Sequence, residues 1–207
     1  MLEYYIYDIP VFVVNDIEDG VSIPDFCSQV EDYISRPLLN NVEVVYIGDL
    51  RELAGRNAMY ANGAIYMTSK EPTIFDMLEN FIHETAHALE DTYGVMIYED
   101  ALVSEFKGKR ERLRHLLEYE GYNINPSLYS FTEYNETFDN FLANVVGYPT
   151  LLNLTMGLFI SPYGATSIQE YFANGFEKYF LESPQAVRKV SPTLYRKIEE
   201  IINDNES

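Results

Sequence analysis

The chain has 207 residues, a hydrophobic content of 47% and one cysteine, enough length and apolar material for a sizeable core and too little cysteine for an intramolecular disulfide. Its formal net charge of −19 opposes a sequence-independent hold on nucleic acid, which needs Lys and Arg to displace counterions from phosphates. Basic peptides or other cationic partners suit it better. The most apolar stretch, Leu151 to Ile160, is short and interrupted by Asn153 and Thr155, so no membrane span is expected. Pro and Gly are scattered, charge does not run in blocks and no period repeats, which predicts a single domain over 1–207. Met1 to Asn15 lacks a positively charged start and a small-residue cleavage site, so no signal peptide is read there. That absence, together with a single cysteine, Cys27, makes a cytoplasmic location the expectation, with secretion after processing left open.

Tyr4 to Val14 is rich in Tyr, Ile and Val and reads as a strand, with Pro10 near an edge or bulge. Ser22 to Ile34 reads as a helix capped by Ser22, with Pro24 in its first turn and Phe26, Val30, Tyr33 and Ile34 at helical spacing. Asn41 to Ile47 is a β-branched strand candidate. Asn57 to Tyr60 and Ala64 to Thr68 flank Ala61-Asn62-Gly63, a hairpin signal. Pro72 then opens a helix with a core stripe of Ile74, Leu78, Phe81, Ile82 and Leu89, expected to end at Gly94. The rest reads as helices and loops: Ala101 to Glu120, Asn135 to Val146, Thr150 to Phe159, Ser167 to Leu181, Pro184 to Lys189 and Pro192 to Ile202.

Off that core stripe lie His83 and His87, in the run His83-Glu84-Thr85-Ala86-His87. Residues i and i+4 share a helical face about 5 to 6 Å apart, so both imidazoles can reach one Zn²⁺. Glu84 sits about 100° around the helix, where it can hydrogen-bond a water in the open coordination position as a general base does. A catalytic site needs a third protein ligand. The extended pattern, with Gly three and His six residues after the second histidine, is absent because Glu90 and Tyr93 stand there. His115, among the arginines of the 101–120 helix, is expected to be exposed.

A second stretch bears on the missing ligand. Pro162 to Phe180 reads PYGATSIQEYFANGFEKYF and is followed by SPTLYRKI; the first helix reads FIHETAHALEDTYG. These segments resemble the catalytic domain of anthrax lethal factor and the related bacterial Pro-Pro endopeptidases, where HExxH on one helix is joined by Tyr, six residues and Glu at the start of a later one. Tyr163 and Glu170 stand at that separation.

The resemblance implies an α+β zincin-like fold, a small N-terminal sheet packed on the HExxH helix with a mainly helical C-terminal half. It also implies zinc endopeptidase activity, one Zn²⁺ on His83, His87 and Glu170, Glu84 as base, and a Tyr163 phenol near the scissile bond. Such peptidases place an edge strand just before the zinc helix, so Ala64, Ile65 and Tyr66 are expected to align an extended peptide by main-chain pairing. A basic or proline-containing peptide or protein fits as substrate.

The chain departs from the family in three places. Asn174 stands where a Glu is usual, so a hydrogen bond to a zinc-bound histidine would come from a neutral amide. An extra stretch, 94–162, separates the two motifs, and the leader of the secreted members is missing. Three alternatives stay open. Ser167-Ile168-Gln169-Glu170 is also a capping box, in which Glu170 reaches back to the Ser167 N–H. The chain could be an inactive peptidase-fold adaptor or structural protein, which retention of Glu84 disfavours, or a zinc hydrolase of non-peptide substrates.

Overall fold

The computed structural model describes residues 1–18 and 20–205. It is α+β, a five-stranded sheet followed by a mostly helical remainder. The chain gathers into two compact units, one of residues 1–94 with the chain end from 201, the other of residues 95–200. No helix among the described residues is long and apolar enough to cross a membrane.

In the first unit the Tyr4 to Val14 run, expected as one strand, is a hairpin of β1 (Leu2–Ile6) and β2 (Ile9–Val13). Tyr7 turns the chain at φ 54. Its phenol is held by the carbonyls of Glu31 and Ile34, each at 3.0 Å, and Asp8 pairs with Arg36. Those partners lie a long way along the chain, which is why local periodicity misses the turn. Pro10 is tolerated because β2 begins pairing with β3 only at Val11, beyond the missing N–H.

Helix α1 (Ile23–Tyr33) starts as expected, with the Ser22 side chain accepting from the Asp25 N–H. The sheet is completed by β3 (Val44–Ile47), β4 (Ala58–Ala61) and β5 (Ala64–Met67) in the order β1-β2-β3-β5-β4. β3 runs parallel to β2 and to β5, and β4 closes antiparallel on β5. Asn62 at φ 50 and Gly63 at φ 81 make the expected tight turn between β4 and β5.

Alternation gives the sheet two faces. Val11, Val45, Ile65, Ile47 and Met67 are buried on one. On the other, Phe12, Tyr46 and Tyr66 stack in register at centroid spacings of 5.8 and 5.5 Å, which uses two of the many tyrosines. Helix α2 (Ile74–Ile97) is capped by Thr73, whose Oγ1 accepts from the Asp76 N–H at 3.1 Å, so Pro72 precedes the helix instead of opening it. It packs on α1 through an edge-on Phe26–Phe81 pair at 5.8 Å. Gly94 does not end it; one glycine inside a helix costs about 1 kcal/mol, which the continuing turns on either side override.

The second unit is helical, with α3 (Asp100–Tyr119), α4 (Glu136–Asn140), α5 (Tyr148–Thr155), α6 (Ile168–Leu181) and α7 (Pro184–Val190). α8 (Pro192–Asn205) follows. Between α4 and α5 the chain widens into a π-helical stretch, Phe141–Gly147, which stops where Gly147 takes φ 80 ahead of Pro149. α3 is the spine. Its Leu102, Phe106, Leu113 and Leu117 are buried at helical spacing. Its Glu105 accepts from the Tyr171 hydroxyl at 2.9 Å and the Thr193 N–H at 2.8 Å, tying α6 and the start of α8 to it.

Two adjacent cations of α3, Lys109 and Arg110, are also buried. Lys109 donates to the carbonyls of Leu158 and Val190 at 2.5 and 2.7 Å. Arg110 donates to those of Leu128 and Thr166 at 2.7 and 3.3 Å and lies 4.0 Å from the Phe138 ring centroid.

Candidate metal centre

The site is built first on α2. Its 3.6-residue period puts His83 and His87 one turn apart, with ring centroids at 5.1 Å and planes crossed at 72°. His87 Nδ1 is paired with Glu90 Oε1 at 2.8 Å. A carboxylate on Nδ1 selects the tautomer whose Nε2 carries the lone pair, the form that binds metal, and fixes the ring plane. Glu84, one residue round the helix, is buried, and its Oε2 accepts the Tyr60 backbone N–H at 2.7 Å. Asn80, on the histidine face, donates instead to Glu71 at 2.7 Å; burial raises the Glu71 carboxyl above its usual range.

The hairpin is clamped onto the same helix. The Tyr60 phenol donates to Asp91 Oδ2 at 2.6 Å, and Asn41 Nδ2 donates to the Ala88 carbonyl at 2.7 Å. Burial and the Asp91 carboxylate push the Tyr60 phenol up to about 12.

Glu170 stands in the first turn of α6, where its backbone N–H donates to the Ser167 Oγ at 3.1 Å. This cap engages the Glu170 backbone N–H. One ligand atom from each of His83, His87 and Glu170 lies within 4.8 Å of the others, a group that could hold a metal ion.

Tyr163 begins the short turn Tyr163–Ala165 and is 38% exposed. Its carbonyl accepts from the Thr166 N–H at 2.9 Å and the Thr166 hydroxyl at 2.8 Å, and the Thr166 carbonyl is held in turn by Arg110. Ile168 N–H donates to the Thr132 carbonyl at 2.8 Å, so the 94–162 stretch braces the segment that carries Tyr163 and Glu170.

Two expectations are corrected. Asn174 was expected to serve a metal-bound histidine, but its Nδ2 donates to the Glu170 carbonyl at 2.7 Å and its Oδ1 accepts from the Ser161 hydroxyl. The carboxylate that orients a histidine is Glu90, which the i,i+3 spacing on a helix would have disclosed. Ala64, Ile65 and Tyr66 are not on an edge: β5 lies between β3 and β4 with both backbone sides paired. The free edge on that side is β4. His115 is exposed and bonded to Glu111. Sequence reading also missed Tyr60, whose contact with Glu84 is made by a main-chain group that no residue type announces.

Comparison of the chain with protein-family models, with curated proteins and with solved structures finds no match.

Proposed function

We propose that this protein is a zincin-like, zinc-dependent endopeptidase. The observation that carries the reading is the convergence of the His83, His87 and Glu170 donors within 4.8 Å, with a buried carboxylate, Glu84, on the residue next to the first of them. Two imidazoles and one carboxylate are a donor set of catalytic zinc, and three protein ligands leave a position for water or substrate. The His87–Glu90 pair adds the second-sphere carboxylate that such histidines carry. A zinc ion there would supply Lewis acidity toward water and a peptide carbonyl.

The chain's own residues do the rest. Glu84 takes the proton of the attacking water on its carboxylate and hands it to the leaving amine. The Tyr163 hydroxyl donates to the developing oxyanion. An extended peptide pairs along β4, the sheet edge whose Tyr60 N–H already meets Glu84. The charge of −19 favours basic peptides over acidic ones.

The test is zinc content and cleavage of a random peptide library, read by mass spectrometry, for wild type, Glu84→Gln and Glu170→Ala. Stoichiometric zinc in wild type and Glu84→Gln, with cleavage only in wild type, is expected. Glu170→Ala should lose zinc. Full zinc retention in Glu170→Ala would make Glu170 a capping residue only, and a zinc-loaded wild type that leaves every peptide intact would point to a non-peptide substrate or an inert scaffold.

A further inference from the structure

We infer that Tyr60 is the positioning residue of the base Glu84, acting through two arms on one helix; this rests on the peptidase reading of Glu84. One arm is the Tyr60 backbone N–H, which donates to Glu84 Oε2 at 2.7 Å. The other is its phenol, which donates to Asp91 Oδ2 at 2.6 Å and accepts from the Gly63 N–H at 3.2 Å. Glu84 and Asp91 are seven residues apart, two turns along the same face of α2 and about 10 Å in rise. A single residue of the edge strand therefore grips the helix at the base and again two turns on.

The strand geometry gives the first arm its direction. Tyr60 faces Ile65 in the antiparallel register, and its N–H goes to Glu84 rather than into the β4–β5 ladder. Successive residues of a strand point their N–H groups to opposite sides, so this donor projects from the sheet edge toward the helix. Fixing Oε2 on a main-chain donor sets the plane of the carboxylate. The phenol sets where that donor stands. It ties the hairpin to α2 through a charge-assisted bond, and the turn residue Gly63 locks onto the same oxygen. A substrate strand on β4 pairs through edge groups other than the Tyr60 N–H, which Glu84 holds, so one residue ties the base to the substrate edge.

The consequence is separable from folding. Tyr60→Phe keeps the backbone donor and the ring but frees the hairpin from Asp91. In steady-state cleavage of a peptide that wild type cuts, kcat should fall on the order of ten- to a hundredfold, as expected for sub-ångström to 1 Å misplacement of a catalytic group. KM and zinc content should stay near wild type. Asp91→Asn, whose amide oxygen still accepts from the phenol, should retain most of kcat, whereas Asp91→Ala should fall with Tyr60→Phe. Equal kcat in Asp91→Asn and Asp91→Ala, a defect confined to KM, or a wild-type kcat in Tyr60→Phe overturns the inference. Should Tyr60→Phe fail to fold, the two Asp91 variants decide alone.

Amide hydrogen exchange at residue 60 reads the clamp without any activity. It should be slow in wild type and at least about tenfold faster in Glu84→Ala and Tyr60→Phe, the cost of one lost hydrogen bond. Unchanged exchange in Glu84→Ala refutes the clamp. A slow amide beside a wild type that cleaves no peptide leaves the clamp standing and refutes the peptidase reading instead.

Discussion

Replacing Arg110 by Met separates what this buried cation does for stability from what it does for the turn ahead of Glu170. Arg110 is fully buried, its Nε has no hydrogen-bond partner, and the acceptors it meets are the carbonyls of Leu128 and Thr166. Burial pushes its guanidinium down to about 10, against an ordinary value of about 12.5 or above. Burial thus disfavours the cation relative to water by roughly 3 kcal/mol. Met fills much of the hydrocarbon volume and removes that cost. Against this, two carbonyls each lose a donor, at roughly 1–3 kcal/mol apiece, and the Phe138 face loses a cation worth about 2 kcal/mol when desolvated.

The opposing contributions leave a net loss of about 1–5 kcal/mol, whose upper end only reaches the roughly 3–5 kcal/mol that follows breaking a buried ion pair. The effect on the site should be larger in proportion. Thr166 loses its hold from α3, and the turn is left to local bonds such as those of Thr166 to the Tyr163 carbonyl and of the Gly164 N–H to the Ser161 hydroxyl. Urea unfolding of wild type and Arg110→Met gives the first quantity, and zinc affinity measured by chelator competition gives the second. The expected outcome is a modest drop in the urea midpoint together with weakened zinc binding. A stability loss above about 5 kcal/mol would refute the reasoning, because the buried cation would then be strongly favourable where it stands. Unchanged zinc affinity would show that the turn keeps its shape without α3.

A Cβ added at Gly175 of α6 would stand 2.3 Å from Leu194 Cδ2 and 3.0 Å from its Cγ in the buried contact with α8, so Gly175→Ala should destabilise by about 1–3 kcal/mol through overpacking. Leu194→Val in the same chain should recover part of it, and a wild-type urea midpoint for Gly175→Ala would show that the helices separate freely. Burial also pushes the Lys109 ammonium down to about 8, below the roughly 10.4 of the unfolded chain. Under pH 8 both states hold the proton and the cost of the buried charge is fully present. Between about 8 and 10.4 only the unfolded chain holds it, so this group's contribution to stability rises with pH by up to about 1.4 kcal/mol per unit. Urea midpoints of wild type relative to Lys109→Met should therefore climb from pH 7.5 to 10, and a flat difference would place the proton on Lys109 throughout.

What the sequence disclosed was whatever is set within a few residues. The Asn62-Gly63 turn follows from two adjacent residues that accept positive φ. The Ser22 and Ser167 caps follow from a hydroxyl three residues ahead of a backbone donor. The pairing of His83 with His87 follows from the helical period alone. Features set by remote partners were illegible. Nothing within Tyr4 to Val14 says that Tyr7 will be caught by α1 and the strand folded in two. Nothing in the arginine-rich run of α3 distinguishes Arg110, fully buried under Phe138, from Arg114, which pairs with Glu111 and Glu118 on the surface. An arginine of either kind occupies the same place in the pattern, and only the chain folded over it decides.

The misplaced substrate strand has the same origin and a sharper consequence. Alternation in Ala64 to Met67 identifies a strand but not its neighbours, because a strand paired on both sides and an edge strand present the same side-chain period. β5 follows its hairpin partner in sequence and is the last strand before α2, which made it the natural edge. Parallel pairing with β3 claims that position and passes the edge to β4. Once β4 is the edge, the Tyr60 N–H is an unpaired sheet donor, and a buried carboxylate with a suitable spacing is the group that meets it. The topology that displaced the expected substrate strand is therefore also what provides Glu84 with its main-chain anchor. The two are one fact about the sheet, and a chain whose β5 lay at the edge would offer Glu84 no such donor from Tyr60.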